Sequence, residues 1–147
     1  MLHYEDFHEG QVFDLGSYHV GADEIIAFAR EFDPQAFHID EAAAKSSVLG
    51  GLAASGWHNC AILMRMICDG YLNNTAGMGS SGLDETRWIK PVFAGETLTG
   101  TMTVLSKRVS SKRPGMGILK CCWELRNDRG EMKVEMTGVN FMRVLNP

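Results

Sequence analysis

The sequence predicts an α+β fold in which a curved antiparallel sheet wraps around one long central helix. Residues 57–72 are the longest apolar run. Trp57, Cys60, Ala61, Ile62, Leu63, Met64, Met66, Ile67, Cys68, Tyr71 and Leu72 cover most of the helical wheel, and a helix that is apolar nearly all round belongs in a core. Downstream, residues 83–89, 96–109, 117–126 and 131–144 read as strands, separated by turn-rich stretches at 91–95, 112–115 and 127–130. Such short breaks suit antiparallel neighbours. Thr97, Thr99, Thr101 and Thr103 alternate with Leu98, Met102 and Val104, as in a sheet with one wet face. The other face must be buried, and the helix after Gly56 is the long apolar element available for it. A single such layer leaves an edge strand and a flank uncovered, so pairing with a second copy, as a homodimer or an assembly of dimers, is expected.

The remaining elements follow in order. Residues 1–10 read as an irregular lead-in. Residues 11–20 read as a strand, because Val12, Leu15, Tyr18 and Val20 partly alternate, with a break at Gly16. Ile25, Phe28, Ala29 and Phe32 recur at helical spacing. With Gly21 as N-cap and Asp23 and Glu24 in the first turn, they predict a helix over 22–32. Pro34 ends it, since a residue before proline avoids the α region. Asp33 therefore stands at a helix exit, where the dipole disfavours a carboxylate. That is a first sign that Asp33 serves something other than helix stability. Asp40 caps a short helix over 41–45, and residues 46–54 form a small-residue segment with a loop at Gly50 and Gly51. Ser55 caps the long helix, and Asn73, Asn74 and Gly77 stop it. The stretch 77–82 (GMGSSG) is either a flap or a plain connection.

Bulk properties narrow the classes. The 147 residues fit one domain spanning 1–147. Hydrophobic residues make up 45% and charged residues 22%, an ordinary globular composition. A net charge of −4 speaks against a nucleic-acid partner, which calls for a basic face. Cys60, Cys68, Cys121 and Cys122 form no C-x-x-C pair and show no zinc-like spacing. Cys60 and Cys68 read as small core residues. With no basic-then-apolar leader and no run of about 18 apolar residues, a soluble, reduced, cytoplasmic protein without membrane association is expected.

Asp33 and His38 form the candidate catalytic pair. A carboxylate and an imidazole can share proton transfers through one held water. The helix that starts at Ser55 and Gly56 would present backbone N–H groups to a substrate carbonyl. His3, His8 and His19 show no ligand-like pattern.

The stretches FAREFDPQAFHIDEAAA and LGGLAASGWH resemble the signature of the MaoC-like dehydratases, which include the R-specific enoyl-CoA hydratases. RWIKPVFAGETL, from Arg87 to Leu98, resembles a second segment of that family. The likeness spans roughly residues 10–145. Gln35 stands where the family usually has Asn, Ala36 where it has Pro, Phe37 at the aliphatic position, and Ser55-Gly56-Trp57 replaces His-Gly-Met. The resemblance implies a hot dog fold and reversible hydration of a trans-2-enoyl-CoA to an R-3-hydroxyacyl-CoA. It implies Asp33 and His38 as the acting pair, with base and acid unassigned, and the N–H of Gly56 on the thioester oxygen. It implies no metal or redox cofactor, with coenzyme A carried as part of the substrate.

Ser55, Trp57, Gly51 and His58 join Gly56 as substrate-binding candidates, although a structural hydrogen bond is equally natural for His58. Asn59 is read as a supporting residue. Arg65 is read as a buried or interface partner for a carboxylate, and Arg87 and Trp88 as sheet residues packing on the helix or lining the substrate channel. Lys107, Arg108, Lys112 and Arg113 cluster at a hairpin tip, and Lys112 and Arg113 are candidates for the phosphates of coenzyme A. Two rival functions share the fold class. One is an acyl-CoA thioesterase, disfavoured because residues 57–67 hold no Asp or Glu. The other is a non-catalytic acyl-CoA-binding module, disfavoured by retention of both Asp33 and His38.

Overall fold

The computed structural model describes residues 1–147. One five-stranded antiparallel sheet contains β1 (Val12–His19), β2 (Leu83–Trp88), β3 (Thr97–Val109), β4 (Met116–Asn127) and β5 (Met132–Arg143), in the order β1-β3-β4-β5-β2. The helices are α1 (Ala22–Phe32), α2 (Ala36–Ile39), α3 (Glu41–Lys45) and α4 (Gly56–Gly70).

The three long strands form a meander. Ladders run from Leu98↔Asn127 to Val109↔Gly117 between β3 and β4, and from Met116↔Arg143 to Arg126↔Met132 between β4 and β5. The strand before them departs from the expected hairpin order. β2 does not pair with β3, the next strand in the chain; it crosses to the far edge and pairs with β5, from Leu83↔Gly138 to Trp88↔Val134. The turn-rich stretch 91–95 is therefore a crossover. Its hydrogen-bonding groups reach back to the loop before α4: Ala54 N–H donates to the Val92 carbonyl at 2.9 Å, and Ala94 N–H to the Leu52 carbonyl at 3.0 Å.

Alternation along the strands sets the inner face. On β4, Leu119, Cys121, Trp123 and Leu125 point inward and are buried, while Cys122 on the other face is only partly covered. Ile62, Leu63, Met66 and Ile67 of α4 pack into one core cluster with Leu98, Met102, Val104, Leu119, Val134 and Met142 of the sheet. Each such side chain is worth about 1.5–3 kcal/mol when fully buried. Gly100 admits Leu15 of β1 to this layer, because a Cβ there would stand 3.2 Å from the Leu15 Cβ.

The central helix is not buried on every side. Trp57 is 64% exposed and Met64 44%, and Ala61 lies on the same open stripe. Apolarity around the wheel here marks a core face plus a second apolar face left open in the single chain. Arg65 meets a carboxylate, as expected, but is not buried in the single chain. It is exposed and pairs with Asp69 of its own helix at 2.6 Å.

Candidate active site

Asp33 is the C-cap of α1, and its N–H donates to the Ala29 carbonyl. Pro34 then turns the chain into α2, a four-residue helical turn that carries His38. So short a helix shows no periodicity and leaves no mark in the sequence. α3 follows, with Asp40 accepting from Ala43 N–H at 2.7 Å. The turn at Pro34 and α2 thus fold the chain back so that Asp33 and His38 face each other, with His38 Nε2 3.5 Å from Asp33 Oδ2.

Each member of the pair is held from behind. The Asp33 carboxylate accepts from Ser55 Oγ at 2.7 Å and from Gln35 Nε2 at 2.7 Å. Burial pushes its pKa up, but the hydrogen bonds from Ser55 and Gln35 and the His38 charge outweigh this, so it lies below the usual carboxylate value. Asp33 is therefore ionised at neutral pH. His38 Nδ1 lies 2.7 Å from the Ala53 carbonyl oxygen. A carbonyl only accepts, so Nδ1 carries a proton, and Nε2 is turned toward Asp33.

The Ala53 carbonyl is fixed in turn by an antiparallel bridge to Phe93. The loop around Phe93 is tied down by Lys133, only 3% exposed, whose Nζ donates to the Pro91 carbonyl at 2.8 Å and stands 3.1 Å from Glu96 Oε1.

His38 opens on a cavity of about 240 Å³ that is also lined by Phe37, Ala53, Gly56, Asn59 and Trp88, among others; Asp33 reaches it only through His38 and does not line it. Gly56 is the first residue of α4, so its N–H has no partner within the helix and carries the positive end of the dipole. The Trp88 ring lies directly over it. A Cβ on residue 56 would stand 2.5 Å from the ring, so only glycine lets the helix start and the β2 wall approach this closely. Ser55 is fully buried; besides bonding Asp33, its Oγ accepts from Trp57 N–H at 3.3 Å. One side chain thus links the acid to the helix start.

The other candidate residues divide. Trp57 is exposed and meets Trp88 edge-on at 5.3 Å, and Gly51 lies against the Phe93 ring. Neither lines the cavity. His58 is buried on another side of α4, with Nε2 3.0 Å from Glu24 Oε1 and its ring stacked on Phe28 at 4.5 Å. It ties α1 to α4 and does not face the Asp33–His38 pair. Arg87 is exposed and stands 3.7 Å from Glu85. Lys112 and Arg113 sit in the β3–β4 turn, beyond Val109↔Gly117, whereas the site loop joins β3 at its opposite end near Leu98. At about 3.4 Å per residue the two ends lie roughly 35 Å apart, so these cations do not approach the site of their own chain. Lys107 is used structurally, donating to the Phe7 carbonyl at 2.6 Å and the Tyr4 carbonyl at 3.1 Å.

Sequence reading missed the Ala53 carbonyl, the Ser55–Asp33 bond and the Lys133 anchor. Only Ser55, already placed as a cap beside Gly56, left a signal that pointed to the site.

A second, larger cavity of about 720 Å³ lies farther along α4, between Cys60, Met64 and Ile67 of the helix and Leu83, Trp123 and Met136 of the sheet. Gly77, Gly79, Ser80 and Gly82 also line it. No helix is long and apolar enough to cross a membrane.

A long helix held against a five-stranded antiparallel sheet defines a hot dog domain, and an acid and an imidazole meet near the start of that helix. The chain matches the MaoC like domain over residues 6–118, and it belongs to the MaoC-like family. It is similar to a MaoC-like dehydratase from Rhodospirillum rubrum, whose crystal structure superposes with a TM-score of 0.91 at 40% identity, covering 97% of each chain. The Bacillus subtilis (strain 168) protein YdeM is 35% identical over 131 residues, 88% of this chain and 90% of its own length. An (R)-hydratase from A. caviae involved in PHA biosynthesis shares the fold at 21% identity, with a TM-score of 0.69, over 92% of this chain and 97% of that one.

Proposed function

We propose that this protein is a hydro-lyase that reversibly hydrates a trans-2-enoyl-CoA to an R-3-hydroxyacyl-CoA. The observation that carries the reading is the meeting of Asp33 and His38 at 3.5 Å, with His38 and Gly56 lining one cavity. Hydration needs a proton taken from water as its oxygen bonds to C3, and a proton delivered to C2. An ionised carboxylate and an imidazole with Nε2 facing it suit those two tasks. Electron density displaced from the double bond collects on the thioester oxygen as an enolate. The free N–H of Gly56 at the start of a 15-residue helix suits that oxygen. The protonated Nδ1, held by Ala53, keeps the imidazole from rotating away.

Coenzyme A enters as part of the substrate, and the apolar lining of the larger cavity suits an acyl chain. The thioesterase alternative gains no support, since the acidic residue of α4 is Asp69, exposed near the far end and paired with Arg65. The open stripe of Trp57, Ala61 and Met64, together with the unpaired outer edge of β2, supports a homodimer.

The test is a hydratase assay on crotonyl-CoA and a short panel of longer enoyl thioesters. Asp33→Asn and His38→Ala should each lose roughly a hundredfold or more in kcat while remaining folded. A wild-type protein inactive on the whole panel, or variants with full activity, would refute the assignment.

A further inference from the structure

We propose that the Asn59 side chain belongs to the reaction site, where its Oδ1 accepts one hydrogen of the water on which Asp33 and His38 act. This rests on the hydratase reading above and assigns one more residue to it. Asn59 lies in the first turn of α4, three residues after Gly56, so both sit on one side of the helix. It lines the same cavity as His38, Ala53, Gly56 and Trp88. Its side chain is almost completely enclosed, with the residue only 3% exposed, and Oδ1 has no hydrogen-bond partner. Native proteins rarely leave such an oxygen unmet, and exceptions concentrate where a ligand or water completes the bond.

The amide serves no structural purpose that would account for it. The helix N-terminus is already capped by Ser55 Oγ, and the Asn59 N–H is bonded to the Ser55 carbonyl at 3.0 Å. The other buried polar atom without a partner is Nδ1 of His58, a residue that ties α1 to α4 and does not line the cavity.

The chemistry calls for an acceptor there. A water about to add to C3 has two hydrogens. One goes to the Asp33–His38 pair; the other needs an acceptor that is not itself a proton acceptor in the reaction. A neutral amide oxygen fits, because it orients the water without competing for the proton. In the dehydration direction, the departing hydroxyl becomes water on protonation and presents the same two hydrogens. Asn59 exchanges no proton in either direction. It sets the position of the oxygen relative to C3, which is worth rate through alignment.

The test compares wild type with Asn59→Leu, which keeps the branched shape and removes the acceptor, and Asn59→Asp, which keeps an acceptor oxygen. Activity, KM, Tm and sedimentation are measured for each. The proposal expects Asn59→Leu to lose roughly tenfold or more in kcat, with KM for the thioester within about threefold. Its Tm should stay unchanged or rise, because an unmet buried oxygen has been removed. Asn59→Asp should recover part of the lost kcat. Full kcat in Asn59→Leu overturns the inference and leaves the hydratase reading standing. A fall in Tm with kcat and KM worsening together assigns Asn59 a structural role and overturns it. A shift of Asn59→Leu toward monomer, with undiminished kcat per site, places the acceptor in a subunit contact and also overturns it. A wild type inactive on every thioester removes the hydratase reading, and this inference with it.

Discussion

Ser55 offers the sharpest test of how the site is held, because one hydroxyl serves both the acid and the helix. In Ser55→Ala the Asp33 carboxylate loses a 2.7 Å hydrogen bond, and bonds to charged groups contribute about 1.5–3 kcal/mol. The cap bond to Trp57 N–H, at 3.3 Å, is long, so its loss belongs at the low end of the usual range of about 0.5–2 kcal/mol. Together the expected destabilisation at neutral pH is about 2–4 kcal/mol. At about 2–4 °C per kcal/mol for a chain of this size, Tm should fall by roughly 4–16 °C.

The loss must also depend on pH. The Asp33 carboxyl is held below its ordinary value because bonding from Ser55 and Gln35 and the His38 charge outweigh the upward push of burial. A carboxylate with a depressed folded pKa adds stability that is complete above the unfolded value of about 3.9 and fades as pH falls through the folded one. The Ser55→Ala penalty should therefore be full near pH 7 and should shrink toward the cap contribution near about pH 3. Urea melts of both proteins at matched concentration, at the two pH values, measure it. A penalty under about 0.5 kcal/mol at neutral pH, or one equal at both pH values, would refute the proposed linkage.

Two further substitutions probe the walls of the site. Gly56→Ala sets a Cβ 2.5 Å from the Trp88 ring. The half-exposed ring can swing away, so stability should fall by only about 1–3 kcal/mol. The tryptophan fluorescence and near-UV circular dichroism should change, and the proposed hydratase activity should drop with them; unaltered spectra would contradict the packing. Lys133→Met removes the buried ammonium that bonds the Pro91 carbonyl and Glu96. Glu96 keeps its bonds from Asn127 Nδ2 and Phe93 N–H, so the cost should lie near the low end of about 3–5 kcal/mol. Faster hydrogen exchange at Ala54 and Ala94, whose amides join the two loops, would show that the loop behind His38 has loosened.

What could be read in advance was local. The periodicity of Ile25, Phe28, Ala29 and Phe32 marks α1, Pro34 marks its end, and Ser55 marks the start of α4. These features place Asp33 and Gly56 before any contact is known. What could not be read was set by pairing over long sequence separations. Nothing in 83–89 distinguishes a strand that pairs with its neighbour from one that crosses the sheet, because both are followed by the same proline- and glycine-bearing turn. The wheel of residues 57–72 records apolarity but not what covers it, so the core face of Leu63 and the open face of Trp57 look alike. Lys112 and Arg113 carry the charge a phosphate wants, yet their distance from the site depends on which end of β3 the turn occupies. The partner of His58, Glu24, lies 34 residues earlier and leaves no local mark.

The crossing of β2 also has a consequence for the order in which the molecule can assemble. During N- to C-terminal synthesis, Asp33, His38 and the start of α4 emerge early, while the loop behind His38 waits for Phe93 and for Lys133 of β5. Trp88, which closes the cavity over Gly56, belongs to a strand whose ladder partner is the last strand, through Trp88↔Val134 and Arg87↔Glu135. Closing so long a loop is slow, because its entropy is lost before the ladder returns anything. Until Met132–Arg143 has left the ribosome, β2 has no strand to pair with and the cavity has no fixed roof. Asp33 and His38 are therefore synthesised first and enclosed last, and a nascent chain stalled before β5 carries both side chains without the Lys133 anchor or a fixed Trp88 wall.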